Sequence, residues 1–272
     1  MENKRAYPAK GVLTALGKSL LYLLFFLAVQ LLAGIVYAAL AVAGGADAGS
    51  ILGGTETAVL LAYLLTAAAV LLWFRLRRVP LGEAAGLRRC SGWTAAFCAF
   101  AAIGLFVVVQ LALMLLPAAW LTDYNDHMEL LLSTGLIPAL SIAVAGPLAE
   151  ELMFRGVIQT RLERAMPVWA AVVLQAVLFG VTHGTPVQMA YAFLMGLVFG
   201  LLRSRTGSIL PGFAAHAAFN AMNDPLGLFS SAAGGWYALA VMAAVSAAGC
   251  VLCRRGLAPL AAPARQEGGS AL

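Results

Sequence analysis

Eight apolar stretches follow one another along the chain, and the gaps between them alternate between basic and acidic or neutral. A run of about 20 apolar residues can cross a bilayer as a helix, which satisfies every backbone N–H and C=O internally. The runs lie at about Leu20–Val42, Thr57–Phe74, Trp93–Leu116, Leu136–Ala165, Pro167–His183, Val187–Leu202, Ile209–Met222 and Trp236–Cys253. With these eight spans, the 17 Lys and Arg residues group with the alternate, inner loops and none falls in an outer loop. Four lie at the N-terminus, five at Arg75–Arg89, three at Arg155–Arg164, two at Arg203 and Arg205, and three at the C-terminus. Basic residues concentrate in cytoplasmic loops. The pattern therefore predicts an all-α, polytopic membrane helix bundle of about eight transmembrane helices, multi-pass in a cell membrane with both termini cytosolic.

Composition agrees. The chain is 62% hydrophobic and 11% charged, against roughly 25% charged in soluble domains. Its net charge of +5 is explained by topology, so the expected partner is a lipid bilayer and not nucleic acid. The first apolar run exceeds the roughly 7–15 residues of a signal-peptide core and reads as a retained helix. Cys250 and Cys253 form a CxxC at the end of a hydrophobic helix, a weak signal for metal or redox chemistry. Three parts are expected: helices 1–3 over 1–134, a functional core of helices 4–7 over 135–225, and the last helix and a cytosolic tail over 226–272.

The core carries the costly residues. Pro147-Leu-Ala-Glu150-Glu151-Leu-Met-Phe-Arg155-Gly156 places two carboxylates and a guanidinium inside the fourth span, and His183 and His216 lie in other apolar segments. Ionisable groups at membrane depth mark functional sites. Glu151 and Arg155, four apart on a helix, can pair, while Glu150 is turned about 100° away. Spans four and five form a hairpin near Met166–Pro167. Glu150 and His183 are each about sixteen residues from that turn, which puts them at equal depth at 1.5 Å per residue. His216 and Asn220 are again four apart and face one way. Gly180/Gly184 and Gly196/Gly200 are GxxxG pairs that allow close helix packing.

A glutamate, two histidines and an asparagine suit hydrolysis. A carboxylate helped by a histidine takes a proton from water, and a histidine and an amide stabilise the oxyanion. The same Glu150, His183 and His216 could instead hold a divalent metal such as zinc, whose bound water is then the nucleophile. No serine or cysteine sits beside the histidines, which argues against a covalent route. Phe179 is expected to pack and shape the chamber, Gln110 and Gln175 to hydrogen-bond between helices, and His127, among acidic residues, to be a solvated loop histidine.

Glu150-Glu151-x-x-x-Arg155, Phe179-x-x-x-His183 and His216-x-x-x-Asn220, in that order, resemble the CAAX-processing and bacteriocin-processing (CPBP) intramembrane protease family, whose eukaryotic members include the type II CAAX prenyl endopeptidase. The resemblance covers about residues 135–225. It implies Glu150 as the water-activating base assisted by His183, His216 and Asn220 as the oxyanion pair, and Glu151 and Arg155 as positioning partners. It leaves open a metalloprotease or a metal-independent glutamate protease. The expected activity is endopeptidase cleavage, near the cytosolic side, of a membrane-embedded peptide or protein, prenylated or not. A non-catalytic binding protein, such as a bacteriocin-immunity or regulatory factor, is the alternative. A proton-coupled transporter is disfavoured, because the chain shows no inverted repeat or paired broken helices.

Overall fold

The computed structural model describes residues 7–47, 54–78, 80, 86–131, 134–223 and 235–261. The charges at Lys4, Arg5 and Arg265, Asp224-Pro225 and most of the C-terminal tail lie outside the described residues. So do parts of the loop at 44–54 and of the connector at 80–92.

The chain is a polytopic helical membrane bundle. Its helices are α1 (Ala9–Ala43), α2 (Thr55–Leu76), α3 (Gly92–Leu113), α4 (Ala118–Leu131), α5 (the rod Leu136–Ala165), α6 (Val168–Gly180), α7 (Pro186–Thr206), α8 (Leu210–Ala221) and α9 (Gly235–Leu252). Among the described residues six of these, α1, α2, α3, α5, α7 and α9, are long and apolar enough to cross a bilayer. The fifth and seventh expected spans are helices too, but α6 has 13 residues and α8 has 12, about 20 and 18 Å at 1.5 Å per residue. α6 stops at Gly180 rather than at His183, because Gly184-Thr185-Pro186 must break the helix and let α7 begin. Thr185 caps α7 by accepting the Gln188 N–H at 3.3 Å, and Pro186 occupies its first position, where a missing N–H costs nothing. α4 was expected to be a polar loop and is instead a 14-residue helix.

The basic helix ends form one face. The Arg203 guanidinium pairs with Glu163 between α7 and α5. Ser208 donates to the Arg88 carbonyl at 2.7 Å, and Arg205 donates to that of Leu260 at 3.1 Å. Exposed tryptophans mark two levels: Trp93 and Trp169 at the basic ends of α3 and α6, and Trp120 and Trp236 at the opposite ends of α4 and α9. Aromatic belts at both interfaces are the expected signature of a membrane span.

Two apolar clusters make the interior. One joins α1, α2, α5 and α6 around Phe26, Phe74, Phe154 and Phe179. The other joins α3, α7, α8 and α9 around Phe106, Phe199 and Phe219. Gln175 of α6 donates to the Gly196 carbonyl of α7 at 2.7 Å, the interhelical bond expected of it. A Cβ on Gly196 would sit 2.9 Å from Ala176, so the second GxxxG does bring these helices together.

The rod α5 is not a uniform α-helix. Ser141–Ala145 and Glu151–Gln159 are π-helical, with α-helix at Gly146–Glu150 between them. Such wide turns are rare and concentrate at functional sites. Here the proline explains one of them. The Gly146 N–H reaches back to Ser141, so the next carbonyl, Ile142, is due a proton from residue 147, and Pro147 has none to give. That orphaned carbonyl is claimed from another helix, as described next.

Candidate active site

At the seam between the two clusters lies a cavity of about 430 Å³, lined by Tyr63, Glu150, Phe179, His183, His216 and Asn220 among others. The structure thus brings Glu150 of α5, His183 after α6, and His216 and Asn220 of α8 to one chamber.

The two glutamates part ways as their register suggests. Glu151 and Arg155 are fully buried and paired, Nη1 to Oε1 at 2.9 Å. The Arg155 guanidinium lies 4.3 Å from the Phe179 ring centroid and 5.1 Å from that of Phe199. Two ring faces and one carboxylate neutralise a charge that could not be buried alone. Gly212 makes room for this pair: a Cβ there would stand 2.7 Å from Glu151 Oε2. Glu150 keeps 13% side-chain exposure and faces the chamber.

His183 is held by the end of α6. Its Nδ1 lies 2.9 Å from the Phe179 carbonyl, which also accepts from the Thr182 hydroxyl at 2.7 Å. A carbonyl only accepts, so this bond needs the proton on Nδ1, and a neutral His183 then carries its lone pair on Nε2. The same contact satisfies one of the free carbonyls of the helix end. The Phe179 ring packs edge-on to His183 and His216, with centroids 4.8 and 5.8 Å away.

His216 is stacked on Phe199 at 4.9 Å and suspended between both carboxylates. Its Nε2 is 3.6 Å from Glu150 and its Nδ1 3.4 Å from Glu151. Asn220 donates through Nδ2 to the Ile142 carbonyl at 3.0 Å. This is the acceptor that Pro147 leaves free, so the proline of α5 fixes the asparagine of α8. The second Nδ2 hydrogen stays free of that bond.

Two residues of the chamber escaped the sequence reading. Tyr63 of α2 donates its hydroxyl to Glu150 Oε1 at 3.2 Å. It approaches over Gly146, where a Cβ would lie 3.1 Å from its ring. Tyr63 sits in no motif, and it is 87 residues from its partner. His127 is not a solvated loop residue. It is half-buried on α4 and lines the chamber, its ring filling the space a Cβ on Gly184 would occupy. Its acidic neighbours hid it, although α4 has an apolar side on which Tyr124 is buried against Tyr191, with ring centroids 6.2 Å apart.

Among the described residues no three His, Cys, Asp or Glu side chains form a group that could hold a metal ion. His216, one of the proposed ligands, has its ring nitrogens turned to Glu150 and Glu151. Cys250 and Cys253 are free thiols.

The chamber also lies toward the helix ends remote from the basic face. His127, Gly184, Thr55 and Asn223, all at those remote ends, belong to its wall. The expectation placed Glu150 by its distance from the Met166–Pro167 turn, which sets its depth relative to His183 but not the direction in which the chamber opens.

Residues 132–222 match the model of a protein family described as type II CAAX prenyl endopeptidase Rce1-like. No curated protein and no solved structure matches the chain.

Proposed function

We propose, from the match of residues 132–222 to the Rce1-like, type II CAAX prenyl endopeptidase family model, that this chain is an intramembrane endopeptidase in which Glu150 activates water against a peptide bond of a membrane-associated peptide or protein. The observation that carries the reading is the convergence of Glu150, His183, His216 and Asn220, from three separate helical segments, on one cavity of about 430 Å³. Glu150 takes a proton from water, and the hydroxide attacks the carbonyl carbon of the scissile bond. The carbonyl oxygen gains the negative charge and is met by N–H groups of His216 and Asn220. The proton on Glu150 then passes to the departing amine. His183, with its Nε2 lone pair toward the chamber, orients the water and can share its proton. Glu151 and Arg155 hold the Glu150 backbone and the His216 ring in place. Tyr63 donates to Glu150 Oε1, which aims the other oxygen at the water.

The scheme is written for this chain's own side chains; a zinc ion held by Glu150, His183 and His216 would instead supply the nucleophilic water. Purified protein should cleave internally quenched peptides in detergent or proteoliposomes. Glu150→Ala should abolish cleavage, and a strong chelator should leave it intact. Undiminished cleavage by Glu150→Ala would sink the assignment, and chelator-sensitive cleavage would bring the zinc alternative back. A purely binding role, as in an immunity factor, predicts that Glu150→Gln with His183→Ala keeps full function in cells.

A further inference from the structure

We infer that the chamber is entered from the extracytoplasmic side, so that its substrates are exported or membrane-tethered polypeptides rather than cytosolic C-termini. The inference rests on the reading of the chamber as a peptidase site only for the word substrate; the direction of access stands on geometry and charge.

The basic ends of the helices are bound into one face by side-chain contacts: Glu163 with Arg203, Ser208 with the Arg88 carbonyl, and Arg205 with the Leu260 carbonyl. Lys10 joins the same face, sharing a surface pocket with Arg161 and Arg164. Excess Lys and Arg marks the cytoplasmic side. Between this face and Glu150 the described residues are closely packed. Phe154, Ile158 and Phe199 are fully buried, as are Glu151 and Arg155. Beneath them Gln159, also fully buried, donates to Glu163, to the Gly200 carbonyl and to Ser204 at 2.8–2.9 Å.

The opposite end is built differently. The wall rises through Ser141 and Ile142 to Thr55, Gly184 and Asn223, and Thr55 and Gly184 are exposed. His127 of α4 sits on the rim beside Gly184. The charges near this end are acidic, with Asp123 and Asp126 on α4 and Glu56 at the start of α2. One side wall includes Leu27 of α1, which is 42% exposed on the lipid surface. A polypeptide anchored in the outer leaflet would thus meet the chamber at its mouth and along its flank.

The test uses the full chain with Cys90, Cys98, Cys250 and Cys253 replaced by serine, and a membrane-impermeant, negatively charged thiosulfonate as probe. Single cysteines are placed at Thr182 in the chamber wall, Thr55 at the rim and Arg164 on the basic face. In right-side-out vesicles Thr182→Cys and Thr55→Cys should be modified and Arg164→Cys spared; in inverted vesicles the pattern should reverse. Modification of Thr182→Cys from the same side as Arg164→Cys overturns the inference. So does a Thr182→Cys that reacts from neither side while Thr55→Cys reacts, because the chamber would then be closed. Labelling needs no turnover, so failure of the peptidase reading leaves a different signature: correct labelling with no cleavage.

Discussion

Tyr63 and Glu150 illustrate how far a single contact can reach. A hydrogen bond to a charged group contributes about 1.5–3 kcal/mol, and each 1.4 kcal/mol is a factor of ten in rate. If the Tyr63 hydroxyl only orients Glu150, Tyr63→Phe should lower kcat by roughly tenfold with KM unchanged, as steady-state kinetics on a quenched peptide would reveal. The Glu151–Arg155 pair behaves in the opposite way, as structure rather than chemistry. Removing one partner of a buried pair leaves the other uncompensated and costs about 3–5 kcal/mol. Arg155→Met should therefore lower the melting temperature in detergent more than the double variant Glu151→Gln/Arg155→Met. The pairing itself is visible in the sequence, because four-residue spacing on a helix is a local rule. Tyr63 is invisible there, because nothing local to residue 63 announces a partner 87 positions away.

At the scale of the element, α5 departs most from what periodicity can show. An apolar segment that is buried on all sides reads alike whether its turn holds 3.6 residues or more, so the π-helical stretches left no trace in the pattern. Their consequence is testable through Pro147. Pro147→Ala restores an N–H that can bond the Ile142 carbonyl, in competition with Asn220 Nδ2. The expected result is a protein at least as stable, since a proline inside a helix costs about 3 kcal/mol, yet less active because Asn220 is released. A melting curve beside a rate measurement checks both halves. α4 offers a second case. Gly184→Ala forces a methyl into the His127 ring, which should lift α4 from the rim and raise amide hydrogen exchange over 118–131 while leaving α3 and α9 protected. The polar residues that gave α4 the look of a loop are its exposed side, and its buried Tyr124 was too little to reveal a helix without the partner ring on α7.

For the whole molecule, length and charge carried the architecture: the order of the apolar helices, their membrane character and the face that gathers arginine were legible, and α4 was not. The position of the chamber along the seam was not either, because it depends on how side chains from two apolar clusters pack more closely at one end than at the other among the described residues. α6 and α8 are also shorter than a bilayer core, about 20 and 18 Å against roughly 30 Å. Mismatch costs fractions of a kcal/mol per Å. Activity in proteoliposomes should accordingly fall as the acyl chains of the host lipid lengthen, with Glu150→Ala as the blank.

The packed layer around Arg155 has an electrical consequence. An aqueous chamber open on one side stands at the potential of that side, so the voltage across the membrane must drop mainly over the packed layer beneath it. One elementary charge moved through 100 mV is worth about 2.3 kcal/mol. A charge moved across the chamber would feel little of that field, and one moved across the layer that holds the Glu151–Arg155 pair nearly all of it.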